Sequence, residues 1–77
     1  MKASVNGWTI GNTCKSSTWG FIVKMTYRSI SYAPQGFVWA DTKQEAAGLA
    51  VEMASTGRAP KGRWYPMQEG AYRLESA

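Results

Sequence analysis

The chain contains no histidine in its 77 residues. That removes the commonest general base and the commonest metal ligand together. Cysteine occurs once, at Cys14, so no internal disulfide is possible and thiols alone cannot build a zinc site. A lone cysteine also favours a reducing compartment, and a cytoplasmic location is the expectation. Acidic residues number five and none precedes Asp41. Asp41 and Glu45 have a capping role, Glu52 falls on the solvent side of a helix, and Glu69 and Glu75 lie in a loop and a tail. Nothing in their spacing suggests a catalytic carboxylate pair. There is no glycine-rich phosphate loop and no nucleophile elbow. No apolar run approaches the roughly 20 residues of a membrane span, and the opening MKASVNGW lacks the apolar core of a signal peptide. These absences point away from an enzyme, a cofactor, a metal and a membrane.

What is present is a single domain's worth of chain, residues 1–77, rich in rings: four Trp, four Tyr and two Phe. A chain this short buries a modest core, so large apolar areas per residue matter. The net charge is +4 and unevenly placed. Lys2, Lys15, Lys24 and Arg28 stand alone in residues 1–40, whereas bases and acids balance from residue 41 onward. Such asymmetry steers a protein towards nucleic acid or an acidic protein surface. Its plainer role is solubility.

The strongest local signal is DTKQEAAGLAVEMASTG, Asp41 to Gly57. Thr42 suits an N-cap, with Glu45 three residues on as in a capping box. Ala46, Leu49, Ala50 and Met53 fall on one helical face, with Lys43, Gln44, Gly48 and Glu52 off it. Gly57 suits the left-handed end, and Pro60 lies just beyond. Residues 19–28 alternate as a half-buried strand. Trp19, Phe21, Val23, Met25 and Tyr27 are expected to face the helix, with Lys24, Thr26 and Arg28 on the far side. The strand can continue through 29–32 to a type I turn at Ala33-Pro34-Gln35-Gly36. A short strand, Phe37–Ala40, runs into the helix, with Phe37 and Trp39 expected inward against its small residues. Residues 3–10 read as a weak first strand broken by the Asn6-Gly7 turn, and residues 11–18 as a polar loop. Residues 58–63 read as a loop, 63–67 as an edge strand limited by Pro66, and 71–74 as a last strand or docked tail. The sum is an α+β domain: an antiparallel sheet of three to four strands with one helix packed on one face.

Two groups of residues carry the candidate binding chemistry. Lys24 and Arg28 form a basic strand face. Arg58, Lys61 and Arg63 follow the helix, with Trp64 and Tyr65 beside them. Bases next to aromatics hold phosphates and stack on nucleobases, and Trp, Tyr and Arg are also the residues of protein hot spots. Some rings, Trp8, Tyr32, Trp64 or Tyr65 among them, are expected to be exposed for a partner. An edge strand open to a partner or a second copy is a further route.

The runs WGFIVKMTYRS and GFVWADTKQEAAGLA resemble the sheet-then-helix pattern of AP2-type and integrase amino-terminal DNA-binding domains. The matching residues are Phe37, Thr42, Glu45, Ala46 and Ala47. That family places several Arg and Trp on consecutive strands, where this chain has Lys24 and Arg28. The resemblance implies DNA reading by strands. In size, lack of catalytic residues and strand-strand-helix order, the chain is also similar to small phage-encoded inhibitors of the anti-CRISPR type. No residue motif carries that second likeness. It implies a non-enzymatic phage or mobile-element protein, monomer or homodimer, that docks on a host protein or nucleoprotein complex in the host cytoplasm. Direct binding of DNA or RNA by the basic face and the 58–65 loop is the alternative.

Overall fold

In the computed structural model, residues 3–27 and 35–67 are described, together with the backbone of 75 and 76. The chain starts as a hairpin. Strand β1 (Ala3–Val5) pairs antiparallel with β2 (Trp8–Ser16) across a two-residue turn. Asn6 and Gly7 both take positive φ, 50° and 89°, the conformation that a tight hairpin demands and that Asn-Gly accepts readily. Asn6 Nδ2 also donates to the carbonyls of Ala54 (3.3 Å) and Ser55 (3.4 Å), tying the hairpin to the end of the helix.

Residues 11–16 belong to β2 and are not a loop, which corrects the sequence reading. Their small polar side chains hide a strand because they sit at the sheet margin, where burial does not select for apolar residues. A bulge between Ile10 and Thr13 shifts the register by absorbing Gly11 and Asn12. Strand β3 (Gly20–Tyr27) returns antiparallel, followed by β4 (Gly36–Ala40) on its other side. Helix α1 (Lys43–Thr56) comes next, then β5 (Arg58–Ala59) and β6 (Trp64–Pro66). Strand β6 pairs antiparallel with β4 and completes a five-stranded sheet in the order β1-β2-β3-β4-β6. The fold class is therefore α+β, with one more main-sheet strand than the upper expectation. Strand β5 forms a separate parallel pair with β7 (Glu75–Ser76). Ala33 and Pro34 of the expected turn at 33–36, the strand extension through 29–32 and the tail at 71–74 lie outside the described residues, and Gly36 already belongs to β4.

The helix begins and ends as its sequence dictates. Thr42 is extended (φ −121°, ψ 155°), and its Oγ1 accepts from the Glu45 amide at 3.1 Å. Gly57 is left-handed at φ 75°, and its amide donates to the Met53 carbonyl at 2.8 Å. The 14 residues span about 21 Å across the sheet. Ala46, Ala50, Met53 and Ala54 are buried, and Leu49 is half-buried.

Register fixes what those residues meet. Phe21, Val23 and Met25 pair with Ala40, Val38 and Gly36, so all six lie on the helix side. Phe37 and Trp39 therefore point away from the helix, and the expected orientation of β4 is reversed. The reason is distance: an alanine face draws helix and sheet backbones close, which leaves room for Val38 and Ala40 but not for rings. Rings flank the contact. Trp8 is 1 % exposed, 4.9 Å from Tyr27 and 6.4 Å from Trp64, centroid to centroid. Trp8 is thus core and unavailable to a partner, another correction. Gly36 admits Trp64: a Cβ there would stand 2.6 Å from the indole and 2.5 Å from the Tyr65 carbonyl oxygen.

Candidate functional site

The face of the sheet opposite α1 is where the unassigned aromatic residues gather. Phe37 and Trp39 reach it from β4, opposite Lys24 and Ile22 of β3. Tyr65 reaches it from β6, opposite Phe37. Trp19 joins from the β2–β3 turn. Ser16 Oγ accepts from the Thr18 and Trp19 amides (3.2 and 3.1 Å), which ties that turn down. Gly20 then takes φ +92°. This left-handed step interrupts the strand alternation and moves Trp19 to the open side, correcting its assignment to the helix side.

The four rings form one connected cluster. Trp19 lies 5.5 Å from Phe37, 5.3 Å from Trp39 and 5.5 Å from Tyr65, at interplanar angles of 72°, 53° and 47°. Phe37 and Tyr65 are stacked at 5.2 Å and 29°. Edge-on and offset contacts of this kind contribute about 0.5–1.5 kcal/mol each beyond area burial. Phe37, at the centre, is 7 % exposed, and Tyr65 at the margin is 48 % exposed. Beside Phe37, Gln35 is buried with its Oε1 unpartnered.

Among the described strand residues of this face, charge has one sign. The Arg63 guanidinium carbon lies 4.5 Å from the Trp39 ring centroid, a cation–π arrangement. The Trp39 amide donates to the Arg63 carbonyl at 3.1 Å, so backbone pairing sets that stacking. Lys24 is exposed opposite Phe37. Ser4, Thr9, Cys14, Ser16, Gly20, Ile22 and Thr26 also lie on this side. Among the described strand residues here, none is acidic. Asp41 lies past the end of β4, at the helix cap.

The residues expected to bind are thus divided among separate places. Lys24, Arg63 and Tyr65 come together on the open face. Trp64 lies on the helix side against the core. Arg58 and Lys61 flank a different groove, of about 350 Å³, with Leu49, Glu52 and Met53 at the end of the helix. Arg28 and Tyr32 lie outside the described residues. Sequence reasoning missed Trp19, Phe37 and Trp39 as members of the site. The available signal was the small-residue helix face, which should have turned the rings of β4 outward.

Among the described residues, no three His, Cys, Asp or Glu side chains gather where they could hold a metal, and no helix is long and apolar enough to cross a membrane. Cys14 is exposed, with a weak 3.6 Å contact from its Sγ to the Asn12 carbonyl. Comparisons with known proteins return no matching family, no matching curated protein and no matching solved structure.

Proposed function

We propose that this is a non-enzymatic binding protein that docks on the surface of another protein through the open face of its sheet. The reading is that of a small phage or mobile-element inhibitor acting on a host protein or nucleoprotein complex. The observation that supports it is the packed ring cluster of Trp19, Phe37, Trp39 and Tyr65 with Arg63 stacked on Trp39. A rigid centre of Trp, Tyr and Arg is the composition of an interface hot spot. Lys24 and Arg63, with no acidic residue beside them among the described strand residues, suit a partner patch that is apolar in the middle and acidic at its rim.

Direct nucleic-acid binding is the second reading, favoured by the same positive charge. Base stacking needs ring faces free for bases. Here Phe37 is nearly covered, Trp39 carries a guanidinium, and Trp19 stands within 5.5 Å of three other rings. The rings meet each other first, which suits a protein surface better than a strand of bases.

Cys14 is the chain's single thiol, and its pairing with Ile22 puts it on the open side. A benzophenone maleimide attached there should cross-link a single stoichiometric protein from bacterial host lysate, and Tyr65→Ser with Arg63→Glu should abolish the adduct. Absence of any discrete adduct contradicts the docking reading. A gel shift of DNA or RNA by the purified protein, weakening steeply with salt, supports nucleic-acid binding instead.

A further inference from the structure

We propose that the second half of β2, with the groove beside it, accepts an extended segment of a partner protein as an added strand. Strand β1 is short and pairs only with Trp8–Ile10, whereas β2 runs on to Ser16. Thr13–Ser16 therefore pair with β3 on one side and with no described strand on the other. In an antiparallel ladder every second residue turns its N–H and C=O outward, so this stretch offers a row of backbone donors and acceptors.

Next to that edge, on the helix side, lies a groove of about 430 Å³. Ala3, Ile10, Thr13, Lys43, Ala47 and Val51 form most of its lining. Val51 is 47 % exposed although it is aliphatic and sits mid-helix. Gly11, in the bulge, also lines this groove. A strand laid along Thr13–Ser16 directs alternate side chains to the helix side, where Ala47 and Val51 line the groove. The two features ask for one ligand: a peptide backbone to complete the ladder and an aliphatic side chain to fill the groove.

Charge selects between occupants. No lining residue is acidic, and Lys43 stands at the rim. Lys15 lies two residues beyond Thr13 on the same side and is exposed. A second copy paired symmetrically along this edge would bring both Lys15 side chains to one seam, and like charges across strands are destabilising. A segment with an aliphatic residue and an acidic residue two positions away turns both side chains to the helix side, where they meet the groove and the lysines. This surface is distinct from the ring cluster, and the proposal holds whatever binds there.

The test is selection of random peptides displayed on phage against the purified protein. Enriched peptides should carry an aliphatic residue with an acidic residue two positions away. Their binding should weaken at least about tenfold, which is about 1.4 kcal/mol, in Val51→Glu and in Lys43→Glu. It should persist in Tyr65→Ser. Bound peptide should slow amide exchange at Thr13–Ser16. The proposal is overturned if no peptide is enriched, if binding survives Val51→Glu, or if the protein self-associates with protection of those same amides, which would make a second copy the occupant.

Discussion

The two faces of the five-stranded sheet each carry four aromatic rings among the described residues: Trp8, Phe21, Tyr27 and Trp64 beside the helix, and Trp19, Phe37, Trp39 and Tyr65 opposite it. On the helix side the rings ring a centre of small and aliphatic residues, Val23, Val38, Ala46, Ala50 and Met53, which do the close packing. On the open side the rings themselves are the centre, with a graded exposure from Phe37 outward to Tyr65. The first arrangement buries area on folding. The second keeps part of its area at the surface, beside Lys24 and Arg63. The same residue type serves stability on one side and, in the proposed function, recognition on the other, and the difference comes from what the helix does and does not cover.

The largest change should come from breaking the helix side. Trp8→Ala removes a side chain that is 1 % exposed and should cost about 3–5 kcal/mol, enough to unfold a domain of this size. Urea denaturation followed by far-ultraviolet circular dichroism would measure it. Gly36→Ala comes next: its Cβ collides with the Trp64 indole and a Tyr65 backbone oxygen, and about 1–3 kcal/mol of strain is expected. Because Trp64 and Tyr65 belong to opposite faces, this variant should also disturb capture at the open face. Thr42→Ala removes the N-cap and should cost about 1 kcal/mol in the same unfolding assay, with capture unchanged. Arg63→Ala should cost least in stability, about 0.5–1 kcal/mol for a cation–π contact at the surface, while lowering partner capture and its salt dependence. If Arg63→Ala and Thr42→Ala affected capture alike, the division of labour between faces would fail.

The helix and both its caps were legible because their causes are local: Thr42, Glu45 and Gly57 act within a few residues of themselves. The alternation of Phe21, Val23 and Met25 was legible for a similar reason, since polar Lys24 and Thr26 mark the other face. Strand β4 offered no such contrast. Gly36-Phe37-Val38-Trp39-Ala40 is apolar throughout, as befits a strand held between β3 and β6, so its orientation depends on contacts distant in sequence. Trp19 was misplaced because one positive φ at Gly20 resets the alternation. The second half of β2 was missed because an edge strand need not be apolar. Half of the candidate site, Lys24, Arg63 and Tyr65, followed from composition near the right places. Its aromatic centre required knowing which way β4 faces.

The claim that the open face is a docking surface is tested most directly with Tyr65→Ser combined with Arg63→Glu, assayed for both urea stability and cross-linking from Cys14. The account predicts a stability loss of about 1.5–4 kcal/mol, given the two ring contacts and one cation–π contact removed, together with loss of the cross-linked partner. Undiminished cross-linking in the folded double variant would contradict it and would leave the four rings as a second, purely structural core.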